Sequence, residues 1–202
     1  MRAIWVALLT AGLAACVTAS NTLSTDQVES FGYAGVKVTF APNAVIWWGD
    51  GERAYAASKG LPATESDAVA KTPEGQAYLR SAIASRLKAS ADRYFTSTMT
   101  GTRPVRFEIV VTNVTIASGI QRVVIGGHHN MTADTTVVDA KSGAVLLPYP
   151  GQRATAMAGQ GLAGVLFDAA VLSDPIDRVV DDYMGQYARW FLRRDPPSVA
   201  NR

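Results

Sequence analysis

The sequence predicts an α+β domain: an antiparallel sheet of about five to six strands with two long amphipathic helices packed on one face. Three observations predict it. Residues 104–118 (PVRFEIVVTNVTIAS) alternate apolar and polar side chains, as a strand with one buried face does. Residues 73–95 and 174–194 carry apolar side chains at helical spacing. Hydrophobic residues make up 48% of the 202, which is enough material for one domain with a real core.

The amino-terminal stretch sets the context for that domain. Arg2 is the only charge before Cys16, and Ala3 to Leu13 is an apolar run broken only by Thr10 and Gly12. This is the pattern of a secretory signal, and it is far shorter than the roughly 20 residues a membrane-spanning helix needs. Leu13-Ala14-Ala15-Cys16 resembles the lipobox of bacterial lipoproteins. The resemblance implies a diacylglyceryl group on the Cys16 thiol, cleavage just before that residue, and acylation of the new amino terminus with a fatty acid such as palmitate. Several acyl chains together anchor stably where one binds marginally. A lone cysteine fits this reading, because acylation uses up a thiol that would be unusual in an oxidising compartment. In that family an Asp after the cysteine favours the inner membrane, so Val17 points to the outer membrane. The expected place is therefore the bacterial cell envelope, lipid-anchored and facing the periplasm. The segments expected are a signal peptide (1–15), an acylated cysteine with a flexible tether (16–30), a single α+β domain (31–195) and a disordered tail (196–202).

The tether is assigned because Val17 to Ser30 is rich in Ser, Thr, Asn and Gln. Val36, Val38 and Phe40 alternate with Lys37 and Thr39 to give a first strand. Pro42-Asn43 turns the chain, Ala44 to Trp48 forms a second short strand, and Gly49-Asp50-Gly51 breaks it. Gly60 to Thr72 reads as a loop. Thr72-Pro73-Glu74 supplies a capping hydroxyl, a proline at the first helical position and an acid in the first turn. Leu79, Ile83, Leu87 and Tyr94 then place the first long helix at about 73–95, lying on the sheet. After the strand at 104–118 come a strand at Gln121–Ile125 and a hairpin of Met131–Asp139 with Ala144–Leu147, closed by Gly143 at positive φ. Ala156 to Leu172 reads as a helix packed closely through small residues. The final helix opens at Asp174-Pro175-Ile176-Asp177. Ile176, Val179, Val180, Tyr183, Met184, Tyr187, Trp190 and Phe191 form its apolar stripe. Asp174 and Asp177 at its start, and Arg189, Arg193 and Arg194 at its end, complement the helix dipole.

Few residues point to chemistry. The formal net charge is only +2 with no long like-charge run, which argues against nucleic-acid binding. Gly159-Gln160-Gly161-Leu162-Ala163-Gly164 matches the dinucleotide fingerprint in letters, but it follows Pro148-Tyr149-Pro150 rather than a strand inside a βαβ unit. No cofactor is expected. His128-His129-Asn130 is the only histidine cluster, with Asp134 and Asp139 nearby in sequence. There is no HExxH, cysteine ligand or third histidine to complete a metal site, so the pair reads as a polar turn or strand end. No G-x-S-x-G elbow appears, and no catalytic residue is assigned. Trp47 and Trp48 are the candidate partner-binding residues. Neighbours on a strand face opposite ways, so one can enter the core while the other faces outward, and exposed Trp is a common binding anchor. The alternative is that both pack inside.

One longer stretch carries a second resemblance. Val123-Val-Ile-Gly-Gly127, the alternating Thr132 to Asp139, Ser142-Gly143-Ala-Val-Leu146, the Gly/Ala-rich segment and the terminal helix together resemble several bacterial envelope lipoproteins without assigned activity. The resemblance covers residues 105–193 and carries over no catalytic residue. The function expected is a non-enzymatic envelope lipoprotein, anchored to the membrane through Cys16, that binds another envelope protein as an accessory to an assembly or transport system. Two other readings stand beside it. A small-ligand or lipid carrier requires an apolar cavity between sheet and helices, and a periplasmic hydrolase requires His128, His129 and nearby acids to converge.

Overall fold

The computed structural model describes residues 19–118, 129–156 and 174–194. The segment containing Cys16, the strand expected at Gln121–Ile125, His128, the Gly159–Gly164 motif with the helix expected around it, and the tail 196–202 lie outside the described residues. In chain order the elements are α1 (Thr25–Glu29), β1 (Phe31–Trp48), α2 (Gly49–Ser58), a 3-10 turn (Ala63–Glu65), α3 (Ser66–Ala70), α4 (Pro73–Phe95), β2 (Arg103–Ile116), β3 (His129–Asp139), β4 (Val145–Ala156) and α5 (Pro175–Leu192).

The described strands form one four-stranded sheet in the order β1-β2-β3-β4. It is mixed rather than wholly antiparallel: β1 runs parallel to β2, while β2–β3 and β3–β4 are antiparallel. The reason is the connection. Parallel neighbours need a long crossover, and α2 through α4 supply one between β1 and β2. The two short strands expected around Pro42 are a single strand. Ala41 to Ala44 bulge out opposite Thr112, between the pairs Phe40–Val111 and Val45–Asn113. Proline, which lacks the N–H a ladder needs, is tolerated at such a bulge on an edge strand. Gly60 to Thr72 is likewise more structured than a loop, holding the 3-10 turn and α3. The expected hairpin is present. Gly143 (φ 74°) closes it, but β4 continues through Pro148-Tyr149-Pro150-Gly151 to Ala156.

The two long helices pack together on one face of the sheet. α4 begins as its sequence indicates, with the Thr72 hydroxyl accepting from Gly75 N at 3.1 Å and Pro73 in the first turn. α5 is capped by Asp174, whose carboxylate accepts from Ile176 N at 3.1 Å. The helices run side by side in the same direction. Arg86 pairs with Asp177 at 3.0 Å, and one turn on Ser90 donates to Asp181 at 2.6 Å. Gly185 then leaves room for the Tyr94 hydroxyl.

Between helices and sheet lies an aromatic cluster. The Phe107 ring sits 4.6 Å from Phe95 and 5.5 Å from both Tyr187 and Phe191, and all four are fully buried. Removing such a side chain from water stabilises the fold by about 1.5–3 kcal/mol. A polar seam fixes α5 over the hairpin. The buried Tyr183 hydroxyl lies 2.8 Å from Thr135 Oγ1 and donates to Ala133 O, while Gln152 Nε2 donates to Tyr183 O at 2.8 Å. Burial pushes the Tyr183 phenol well above its ordinary pKa, partly opposed by the hydrogen bond with Thr135, so it stays neutral and can donate.

Candidate functional site

The sheet and helices have two distinct ends, and each gathers unusual side chains. At the first end β1 and β2 begin and α5 finishes, with the Phe31 and Phe191 rings stacked at 6.5 Å. Here the segment whose composition reads as a flexible tether is, from Ala19 on, held against the domain. Trp190 Nε1 donates to Ala19 O at 2.9 Å, and Asn21 Nδ2 donates to Phe191 O at 3.0 Å. Asn21 thereby satisfies a carbonyl that the last turn of a helix leaves without a partner. Arg193, in the left-handed region at φ 54°, turns its guanidinium back to donate to the carbonyls of Asn21 and Leu23. Ser24 and Gln27 then form a reciprocal capping box that starts α1, and α1 buries Val28. The Ser, Thr and Asn that give this segment a linker-like composition are the residue types that cap helices. That is why composition alone reads as a tether.

A cavity of about 400 Å³ opens beside this strap. Thr25, Val28 and Glu29 of α1 form one wall, Thr98 and Thr100 of the α4–β2 connection a second, and Leu192, Arg193 and Arg194 the third. Trp190 stacks on Tyr149 of β4 at 4.2 Å. Arg189, Arg193 and Arg194 are exposed around the end of α5.

At the opposite end β1 and β2 finish and β3 begins. Trp47 and Trp48 point to opposite faces here. Trp48 is 4% exposed, its ring beneath the Arg86 guanidinium at 4.8 Å, and a Cβ on Gly51 would collide with it. Its backbone N–H donates to the buried Glu52 carboxylate at 3.3 Å. Burial raises the Glu52 pKa, and that hydrogen bond partly opposes the shift. Trp48 therefore belongs to the core. Trp47 faces the other way, at the head of a cross-strand row that continues through Thr115, Asn130 and Thr155 on the face opposite the helices. Val45, 56% exposed, lies on that same face.

His129 opens β3 opposite Ala156 and is fully buried. Asp139 ends the same strand, about 33 Å away at the usual rise per residue. Its carboxylate accepts from Lys141 N, Ser142 N and the Ser142 hydroxyl, and pairs with Arg103 at 3.1 Å. The hydrogen bond from Ser142 N and then the Arg103 guanidinium lower its pKa to about 2. Asp134 accepts from Gly151 N at 2.6 Å across the hairpin. The acids that neighbour the histidines in sequence are thus hairpin residues and do not converge on His129. Among the described residues no group of three or more His, Cys, Asp or Glu is placed to hold a metal ion. No described helix is long and apolar enough to cross a membrane.

Sequence reasoning missed the strap end altogether. Trp190 is visible there only as one position of a helical stripe, and the pairing of Asn21 with the last turn of α5 spans 170 residues. No local pattern announces such a contact.

No protein-family profile matches the chain, and no curated protein matches it significantly. Solved structures that match include a candidate lipoprotein from Caulobacter crescentus CB15, 15% identical, with a TM-score of 0.35 over 55% of this chain and 81% of that one. Another is the dodecamer of a PelC point variant from Paraburkholderia phytofirmans, 11% identical, with a TM-score of 0.37 over 88% of this chain and 94% of that one. At these scores neither likeness carries an argument about what this chain does.

Proposed function

We propose that this chain is a membrane-anchored envelope lipoprotein, acylated on Cys16, whose domain binds another envelope component as an accessory to an assembly or transport system. The observation that carries the reading is the strap. Ala19 is hydrogen-bonded to Trp190, so a lipidated Cys16 three residues earlier sits within about 11 Å of the domain. The domain is then carried close to the lipid by its α5 end, with Trp47 near the opposite end, directed away from the membrane. Val17 favours the outer membrane, facing the periplasm.

A binding role is supported by what the perturbed polar groups do. Glu52 secures the β1–α2 junction, Asp139 closes the hairpin, and Tyr183 ties α5 to β3. Trp47 and the exposed Val45 supply an apolar spot on the sheet face opposite the two long helices, the kind of anchor a partner packs against. Among the described residues the 400 Å³ cavity lies at the α1 end, apart from the aromatic cluster between sheet and helices where the carrier reading requires one.

The test is a photo-crosslinking residue at position 47 of the full-length chain in intact cells, with Cys16→Ser as the control. One dominant crosslinked envelope protein, lost in the control, is the expected result. Diffuse labelling unaffected by Cys16→Ser would overturn the binding role.

A further inference from the structure

Resting on the lipoprotein reading, we propose that the α5 end of the domain is a docking surface for the headgroups of anionic phospholipids in the leaflet that carries the chain's own anchor. Three observations lead there. The first is reach: the strap fixes Ala19 to the Trp190 indole, leaving three residues, about 11 Å of chain at most, to Cys16. A lipid at Cys16 therefore brings this end, and no other, against the bilayer surface.

The second is composition. Trp190 and Tyr149 form a stacked pair beside the strap, and Trp and Tyr are the side chains that favour the membrane–water boundary. Arg194 is exposed just past the last turn of α5, and Arg189 is exposed one turn earlier with its guanidinium beside Gly185 and Tyr94, while Arg193 is held by its bonds to the strap carbonyls. Arginine matches phosphate geometry through paired N–H donors. The third is the cavity of about 400 Å³ beside Arg193 and Arg194, whose lining Thr25 and Thr100 hydroxyls can donate to phosphate oxygens, the Thr98 hydroxyl being committed to Tyr94 O. Glu29 on its α1 wall disfavours deep entry of an anion. The phosphate is accordingly held at the arginine side of the cavity mouth. Arginines at the end of a helix also complement its dipole, but that role does not require an aromatic pair and a strap at the same place.

The test uses the full-length gene product, purified from membranes and reconstituted into phosphatidylcholine vesicles with or without phosphatidylglycerol, some acyl chains brominated near the headgroup. Flotation reports anchoring, and quenching of tryptophan emission reports contact of Trp190 with lipid. Trp47 and Trp48 end β1, about 40 Å from its start at the docking end as measured along the paired β2 residues Arg103 to Ile116, beyond the quencher's reach. The expected result is quenching that strengthens with phosphatidylglycerol and disappears in Trp190→Phe. In Arg189→Gln/Arg194→Gln, which leaves every strap contact in place, the ratio of docked to undocked protein should fall about fivefold for each arginine. Quenching that is absent in floating vesicles, survives Trp190→Phe, or ignores both arginines and phosphatidylglycerol overturns the docking surface while the anchor stands. A chain that fails to float overturns both.

Discussion

Asp139 shows how one side chain is committed by its neighbours. Its carboxylate closes the β3–β4 hairpin through the backbone N–H groups of Lys141 and Ser142 and meets Arg103 of β2. The folded state therefore holds its pKa at about 2, below the ordinary 3.8. An acid with a depressed pKa contributes stability above its unfolded pKa and loses it as pH falls through the folded value. Asp139→Asn should consequently lower the melting temperature at pH 7, with the difference from wild type closing between about pH 4 and pH 2. Melting curves across that range check it, and a difference independent of pH would contradict the assignment. In sequence Asp139 looks like a neighbour of the histidines. Distance along a strand separates them, and a list of residue types does not contain that distance. The Trp47-Trp48 pair is more legible, because strand alternation sends neighbours to opposite faces whatever the fold. Which of the two goes inside depends on Arg86, Gly51 and Glu52, supplied by other elements.

At the scale of elements, the helices are the most readable. Caps at Thr72 and Asp174 and apolar stripes at helical spacing place α4 and α5 within a residue or two of where they lie. Strand β2 is equally plain, since Val105, Phe107, Ile109 and Val111 are all fully buried on the helix side. Its ring at Phe107 is the point where both helices and the sheet meet, touching Phe95, Tyr187, Phe191 and Tyr33. Phe107→Ala should cost about 3–5 kcal/mol of unfolding free energy, transfer and cavity together. Urea unfolding monitored by circular dichroism measures this, and a loss below about 1 kcal/mol would mean the cluster can collapse around the gap. The edge strand is the least legible element. Proline-Asn within β1 has the local chemistry of a turn, and only pairing with β2 on either side of the bulge keeps the chain extended there.

At the scale of the whole molecule, α+β with two helices on one sheet face is accessible from periodicity, while the parallel β1–β2 pairing is not. Strand direction is decided by the connection, and the local sequence between β1 and α4 has the look of loop rather than of part of a crossover. The strap is hidden for a related reason: its bonds join residues at opposite ends of the sequence. Together these features give the domain a polarity. One end receives the strap that begins at Ala19, and the other places Trp47 on the sheet face opposite the two long helices. That polarity matters only if a lipid is attached at Cys16. The decisive measurement is mass spectrometry of the amino-terminal peptide from protein purified out of membranes. The predicted result is a chain that begins at Cys16 and carries a diacylglyceryl group and an amide-linked acyl chain, all absent in Cys16→Ser. An unmodified thiol, or a peptide that runs on through Ala15, would contradict it.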